Sequence, residues 1–220
     1  MQPKLRKRRD VHLDVAPNTS IELEEIVQLR PVSPVGDPSA AHFPRLYNCK
    51  TTPILTQTMI NQIFNCLPSI LRLKDLKLLY STAQHGASLT TFFYAMERAG
   101  PSIMVVKESS GGVFGCFSPV PWCAGPSYYG SGDVFLFVLL PQFKMFRPSG
   151  QNAYFLLSNA DFIAIGGGDN FALWLNSSFS VGTSATCATF NSPPLVPGGG
   201  QFTCTGLEAW GFCMSSEAPT

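Results

Sequence analysis

Acid–base chemistry near neutral pH falls first to histidine, and this sequence offers His12, His42 and His85. The first two lie in a polar start rich in proline. His85 stands in Ala83-Gln84-His85-Gly86, a turn between a strand and a helix, where a backbone group is an ordinary partner for an imidazole. A catalytic base there needs a nucleophile and an orienting acid. No Gly-x-Ser-x-Gly elbow supplies one. The carboxylates Glu97, Glu108, Asp133, Asp161, Asp169 and Glu208 are separated, without the pairing that hydrolysis uses.

Thiol chemistry is the other candidate. The seven cysteines, Cys49, Cys66, Cys116, Cys123, Cys187, Cys204 and Cys213, are scattered among apolar neighbours with no Cys-x-x-Cys. With the histidines they give no zinc-ligand spacing. Nothing basic lies near Cys116 or Cys187 to depress a thiol pKa. They are expected to be reduced, mostly buried thiols; direct antioxidant chemistry by Cys116, Cys187 or Cys213 is the alternative. No catalytic residue, metal or cofactor is expected.

Two glycine clusters invite a phosphate reading. Gly130-Ser131-Gly132-Asp133 precedes a strand, so it cannot place phosphate on a helix N-terminus. Gly166-Gly167-Gly168-Asp169-Asn170 joins two strands and has no following Lys-Ser/Thr. Loops on a rigid scaffold carry recognition, which makes Gly130, Gly132, Asp133, Gly166, Gly168 and Asp169 the candidate interaction residues. Turns that only let strands pair remain the other reading of both clusters.

These loops need elements to hold them. Val134 to Leu140 is an unbroken apolar run, entered through Gly132 and stopped by Pro141. It has no polar face, so both sides must be covered: a central strand. It is far short of the ~20 residues of a membrane span. Met59, Ile60, Ile63, Phe64 and Leu67 mark an amphipathic helix before Pro68, and Ser88 caps a second with Leu89, Phe92, Phe93 and Met96 on one stripe. Strands are expected at 76–81, 103–107, 113–118, 143–147, 153–157, 162–165, 171–175, 179–186 and 202–212. Short connections make neighbours antiparallel. The expectation is an α+β domain of two antiparallel sheets packed as a sandwich, with helices at the periphery.

At 220 residues, 13% of them charged, with 19 glycines and 18 prolines, the chain holds one domain and an appendage. Residues 1–53 read as a basic, proline-rich extension, partly disordered. Lys4 to Arg9 is a basic run suited to a nuclear, membrane-surface or RNA contact, and Thr19 with Glu22 resembles a capping box. Residues 54–213 form the domain and 214–220 a tail. The net charge of +1 exerts no general pull toward nucleic acid or anionic membrane. The start lacks the apolar core of a signal peptide.

The order of motifs resembles the TLDc domain of the oxidation-resistance proteins. The resemblance runs through Leu79-Tyr80-Ser81-Thr82-Ala83-Gln84-His85-Gly86-Ala87-Ser88-Leu89, Val113-Phe114-Gly115-Cys116-Phe117 and Tyr128-Tyr129-Gly130-Ser131-Gly132-Asp133. Asn152-Ala153-Tyr154-Phe155, Gly166-Gly167-Gly168, Phe171-Ala172-Leu173-Trp174-Leu175, Cys187-Ala188-Thr189-Phe190-Asn191 and Leu207-Glu208-Ala209-Trp210-Gly211-Phe212 follow in the family order. Two stretches depart from it: Leu175-Asn176-Ser177-Ser178-Phe179 lacks the usual acids, and Phe146-Arg147-Pro148-Ser149-Gly150 replaces an aromatic-Arg-Trp-Thr-Gly pattern. The resemblance implies a non-enzymatic interaction protein that binds the cytosolic, peripheral sector of the vacuolar-type proton-pumping ATPase. It further implies a change in pump assembly or activity, a part in oxidative-stress resistance, a cytoplasmic location and no small-molecule substrate. A monomer is expected.

Overall fold

The computed structural model describes residues 44–214. The basic run, the Thr19–Glu22 capping box and residues 215–220 of the tail lie outside that range.

Two sheets share one long strand. The first has the order β6-β5-β4-β3-β11-β2-β1, built from Lys144–Phe146, Phe135–Leu140, Val113–Ser118, Ser102–Glu108, Gly200–Cys213, Asp75–Ser81 and Leu46–Tyr47. The second runs β7-β8-β9-β10-β11, from Leu156–Ser158, Phe162–Ile165, Leu173–Asn176 and Val181–Ser184 into the same β11. Residues 200–203 of β11 pair with β10, and residues beyond them pair with β3 and β2. Its register slips between Cys204 and Gly206, and again between Ala209 and Trp210. Such bulges bend a strand, which is how one chain segment serves two sheets. Neighbours are antiparallel except β1, which runs parallel to β2 and lies ahead of residue 54. The buried Asp75 carboxylate draws β1 in, accepting from the Arg45 amide at 3.0 Å and the Tyr47 hydroxyl at 3.3 Å.

The apolar run Val134–Leu140 is covered on both faces, as its composition requires, but β5 is not central: it lies second from the edge of its sheet, beside the three-residue β6. Val134, Leu136 and Val138 enter the core between the sheets, together with Met104, Phe114, Ile163 and Leu173. Phe135, Phe137 and Leu139 enter a second core with Ile103, Val105 and Trp210 under helix α1, Gln57–Phe64. Burying each large side chain contributes roughly 1.5–3 kcal/mol, so the two-faced strands anchor the fold. Thr56 caps α1 through the Met59 amide. A short α2, Thr82–His85, precedes α3, Leu89–Met96, whose Ser88 cap takes the Thr91 amide. Phe92 and Met96 of α3 are fully buried in the inter-sheet core.

Several boundaries differ from the sequence expectation: α1 ends at Phe64, short of Leu67, β6 is only Lys144–Phe146, β10 ends at Ser184 and β11 begins at Gly200. The 153–157 strand begins only at Leu156, because the Asn152 side chain accepts the Tyr154 amide and turns the chain there. Phe171 and Ala172 stay outside β9. Phe179 has φ of 48°, a turn conformation, so β10 starts at Val181.

Candidate functional site

One end of the sandwich gathers segments far apart in sequence around a single hydroxyl. Thr189 lies in a short 3-10 turn, Ala188–Phe190, and is fully buried. Its Oγ1 accepts the Gly167 amide at 2.9 Å and donates to Asn152 Oδ1 at 2.8 Å. Its backbone carbonyl takes the Ser149 amide at 2.7 Å, while the Ser149 hydroxyl donates to the Ala188 carbonyl, also at 2.7 Å. The Cys187 thiol points at the Gly167 carbonyl at 3.4 Å. Three stretches, 149–152, Gly167 and 187–189, are thereby locked to one another by backbone and side-chain hydrogen bonds.

The glycines are what permit this approach. Gly166 has φ of +78°, and a Cβ there would stand 2.5 Å from the Cys187 sulfur. At Gly167 a Cβ would meet the Tyr128 hydroxyl at 2.6 Å. Tyr128 in turn stacks on Tyr154 with ring centroids 4.6 Å apart. Burial pushes the Tyr128 phenol above its ordinary pKa, with Cys187 and Tyr154 adding to the effect. Next to it, Tyr129 exchanges both backbone bonds with Leu156, and its buried hydroxyl pairs with Ser158 at 2.8 Å; burial raises this phenol to about 12.

The sequence candidates divide. Gly130, whose Cβ position lies 3.4 Å from Leu156 and Phe155, seats the first loop on this cluster. Gly166 and Gly168 belong to it, and the exposed Asp169 lines a groove of about 400 Å³ with Tyr128, Asn170, Phe171 and Thr183. Gly132 has open space around it, and the exposed Asp133 only closes a turn with Ser131. Reasoning on glycine clusters missed Thr189, Asn152, Ser149 and Tyr154 as site residues. The signal was present in the Asn152-Ala153-Tyr154 and Cys187-Ala188-Thr189 motifs, but nothing in sequence says that these meet.

The other chemical candidates serve the fold. His85 Nδ1 accepts the Ser81 amide at 3.0 Å and its ring stacks on Tyr80, so the ring proton sits on Nε2. Glu208 is buried; its two oxygens accept the Ile54 amide at 2.9 Å and the Trp210 indole N–H at 3.0 Å. Burial lifts its pKa, partly offset by these bonds and one from Leu55. Glu108 goes the other way: burial pulls upward, but the Ser110 hydroxyl and the Ser110 and Gly112 amides outweigh it and hold the carboxylate low. Among the cysteines, Cys116, Cys187, Cys204 and Cys213 are buried and only Cys123 is exposed. Burial raises the pKa of Cys116, and that of Cys204 to about 11. Among the described residues no group of three or more His, Cys, Asp or Glu is placed to hold a metal, and no helix is long and apolar enough to cross a membrane.

Residues 48–213 match the TLDc domain. The chain belongs to the TLDc family. It is 33% identical over 161 residues to human nuclear receptor coactivator 7, covering 72% of this chain and 17% of that protein. To rat oxidation resistance protein 1 it is 36% identical over 137 residues, covering 61% of this chain and 16% of the relative. The match thus spans about a sixth of these curated relatives. Against the TLDc pattern, the chain's acid-poor loop after Trp174 is self-contained: Asn176 accepts the Ser180 and Val181 amides and donates to the Ser178 and Ser180 hydroxyls.

Proposed function

We propose that this TLDc domain is a non-enzymatic interaction module that binds the peripheral sector of the vacuolar-type proton-pumping ATPase and regulates its assembly or activity. Its part in oxidative-stress resistance, which the names of its relatives support, follows from that regulation. The observation that carries the reading is the Thr189-centred lock. Stretches of the family pattern are held together through Thr189, with the exposed Tyr154 stacked on Tyr128 beside a groove that Tyr128, Asp169 and Asn170 line. A preorganised loop cluster on a rigid sandwich is a recognition surface whose binding loses little to ordering. A domain that prefers one assembly state of the pump shifts the pump toward it by that difference in affinity.

The test is capture of the pump's peripheral sector by the full chain from cytosol, followed by ATP hydrolysis and assembly measurements. Recovery of peripheral-sector subunits, weakened about tenfold by Tyr154→Ala with Asp169→Lys, is expected. Recovery that ignores these substitutions would remove the glycine end from the interface, and no recovery would remove the pump. The alternative, direct thiol chemistry, is expected from the sequence at Cys116, Cys187 or Cys213; all three are buried, which leaves the exposed Cys123 as the accessible thiol. It requires peroxide consumption that Cys123→Ser abolishes.

A further inference from the structure

A second surface lies away from the Thr189 cluster. Between the turn 68–74, strand β2, the end of β11 and the segment after α3 runs a groove of about 480 Å³. Its floor is apolar: Leu71 is buried, and Leu79 and Phe212 are half-buried. Leu79 can lie flat because Gly211 beneath it has no side chain; a Cβ there would stand 2.7 Å from Leu79 Cδ1. Ile70 forms one bank and is 72% exposed, as is Leu73 in the same turn. Ala99, Gly100 and Pro101 form the other bank.

The charges along this groove have one sign. Lys74, Lys77 and Arg98 line it, and among the described residues no carboxylate does. The nearest acids in sequence, Asp75 and Glu97, are not among the residues that line it. Asp75 is buried against β1, and Glu97 lines a different hollow with Phe93, Tyr94 and Trp122. An apolar trough with two large exposed aliphatic side chains beside it and a basic rim is complementary to a segment that is apolar on one face and acidic on the other.

We propose that this groove docks an acidic amphipathic helix of a partner protein. Its apolar residues, spaced i, i+3, i+4 and i+7, enter over Leu79 and Phe212 beside Ile70, and its carboxylates meet Lys77 and Arg98. The recessed floor favours a helix, whose side chains reach in, over a flat bilayer that would touch only the banks. The surface is independent of the pump reading, since it shares no residue with the glycine end.

The experiment uses the full chain and two fluorescent synthetic helices, one with a leucine stripe and glutamates elsewhere, the other with lysine at every glutamate. Fluorescence anisotropy is expected to show saturable binding of the acidic helix and about tenfold weaker binding of its basic twin. Ile70→Asp, and Lys77→Glu with Arg98→Glu, should each weaken the acidic helix about tenfold, with Tyr94→Ala unchanged. These positions are solvent-facing, and circular dichroism confirms that each variant folds. Equal binding of the two helices, no saturable binding, or loss on Tyr94→Ala alone overturns the proposal. So does sedimentation with phosphatidylserine vesicles that the same groove variants abolish while the acidic helix fails to bind.

Discussion

The amide of Gly167 donates to the Thr189 hydroxyl at 2.9 Å, in a buried site, across 22 residues of sequence. The hydroxyl in turn donates a hydrogen bond to Asn152 Oδ1, so one atom closes a chain from loop to loop. Thr189→Val keeps the shape but leaves the Gly167 amide without its acceptor inside the protein. A loss of about 1–3 kcal/mol in urea unfolding is expected, whereas Thr189→Ser, which keeps the hydroxyl, should lose much less. Equal losses for both variants would assign the effect to packing rather than to the hydrogen bond.

A second prediction concerns close approach inside the first sheet. A Cβ at Gly115 would stand 1.9 Å from the Met104 carbonyl oxygen, on the paired backbone of β3. Two central strands would have to separate. Gly115→Ala is expected to cost about 1–3 kcal/mol or more. Gly132→Ala, where nothing lies within 4 Å, should stay within about 0.5 kcal/mol. Thermal unfolding of the pair side by side is the measurement.

Much of this architecture is written in local patterns. The Ser88 cap, the α1 stripe, the β3–β4 hairpin and the two-faced run at Val134–Leu140 all depend on neighbours a few residues away. What escaped depends on distance. Strand β11 divides itself between two sheets through bulges at Cys204 and Ala209, and its partners lie in β2, β3 and β10. Thr189 reads as an ordinary polar residue until Asn152, 37 positions away, is placed against it. Glycine clusters marked the end of the molecule where Gly166 and Gly167 meet Cys187 and Tyr128, because close backbone approach demands glycine. They also marked Gly132 and Asp133, which only shape a turn, because sequence does not separate the two demands.

Thiol reactivity should follow exposure. Cys123 alone is exposed, whereas Cys116, Cys187, Cys204 and Cys213 are buried and need local opening to react. Alkylation of the native chain, followed by peptide mass spectrometry, is expected to label Cys123 first. The half-buried Cys49 and Cys66 should follow slowly, since burial raises both thiols. The four buried sites should react only in denaturant. Early labelling of Cys187 would show that the glycine end opens readily, against the rigid surface proposed above.

Glu208 makes a test of sign. Its carboxylate is raised by burial, with the Ile54, Trp210 and Leu55 donors only partly compensating. The folded state therefore holds a proton that the unfolded state releases, in a window from about pH 4.3, the ordinary glutamate value, up to the elevated value in the fold. Within that window the unfolded chain binds fewer protons, so this residue's contribution to stability falls as the pH rises. Below the window the contribution is fully present. Glu108 acts in the opposite sense, losing stability as the pH falls, but it is common to the native chain and a Glu208→Gln variant and cancels in their difference. Urea unfolding of both proteins across the acid range should give a difference, native minus variant, that is largest at low pH. It should decline on the order of 1 kcal/mol through the window and then run flat. A difference that grows with pH would mean that the three donors outweigh burial. In that case the Glu208 charge itself, and not merely its shape, is what ties residues 54–55 to the closing strand.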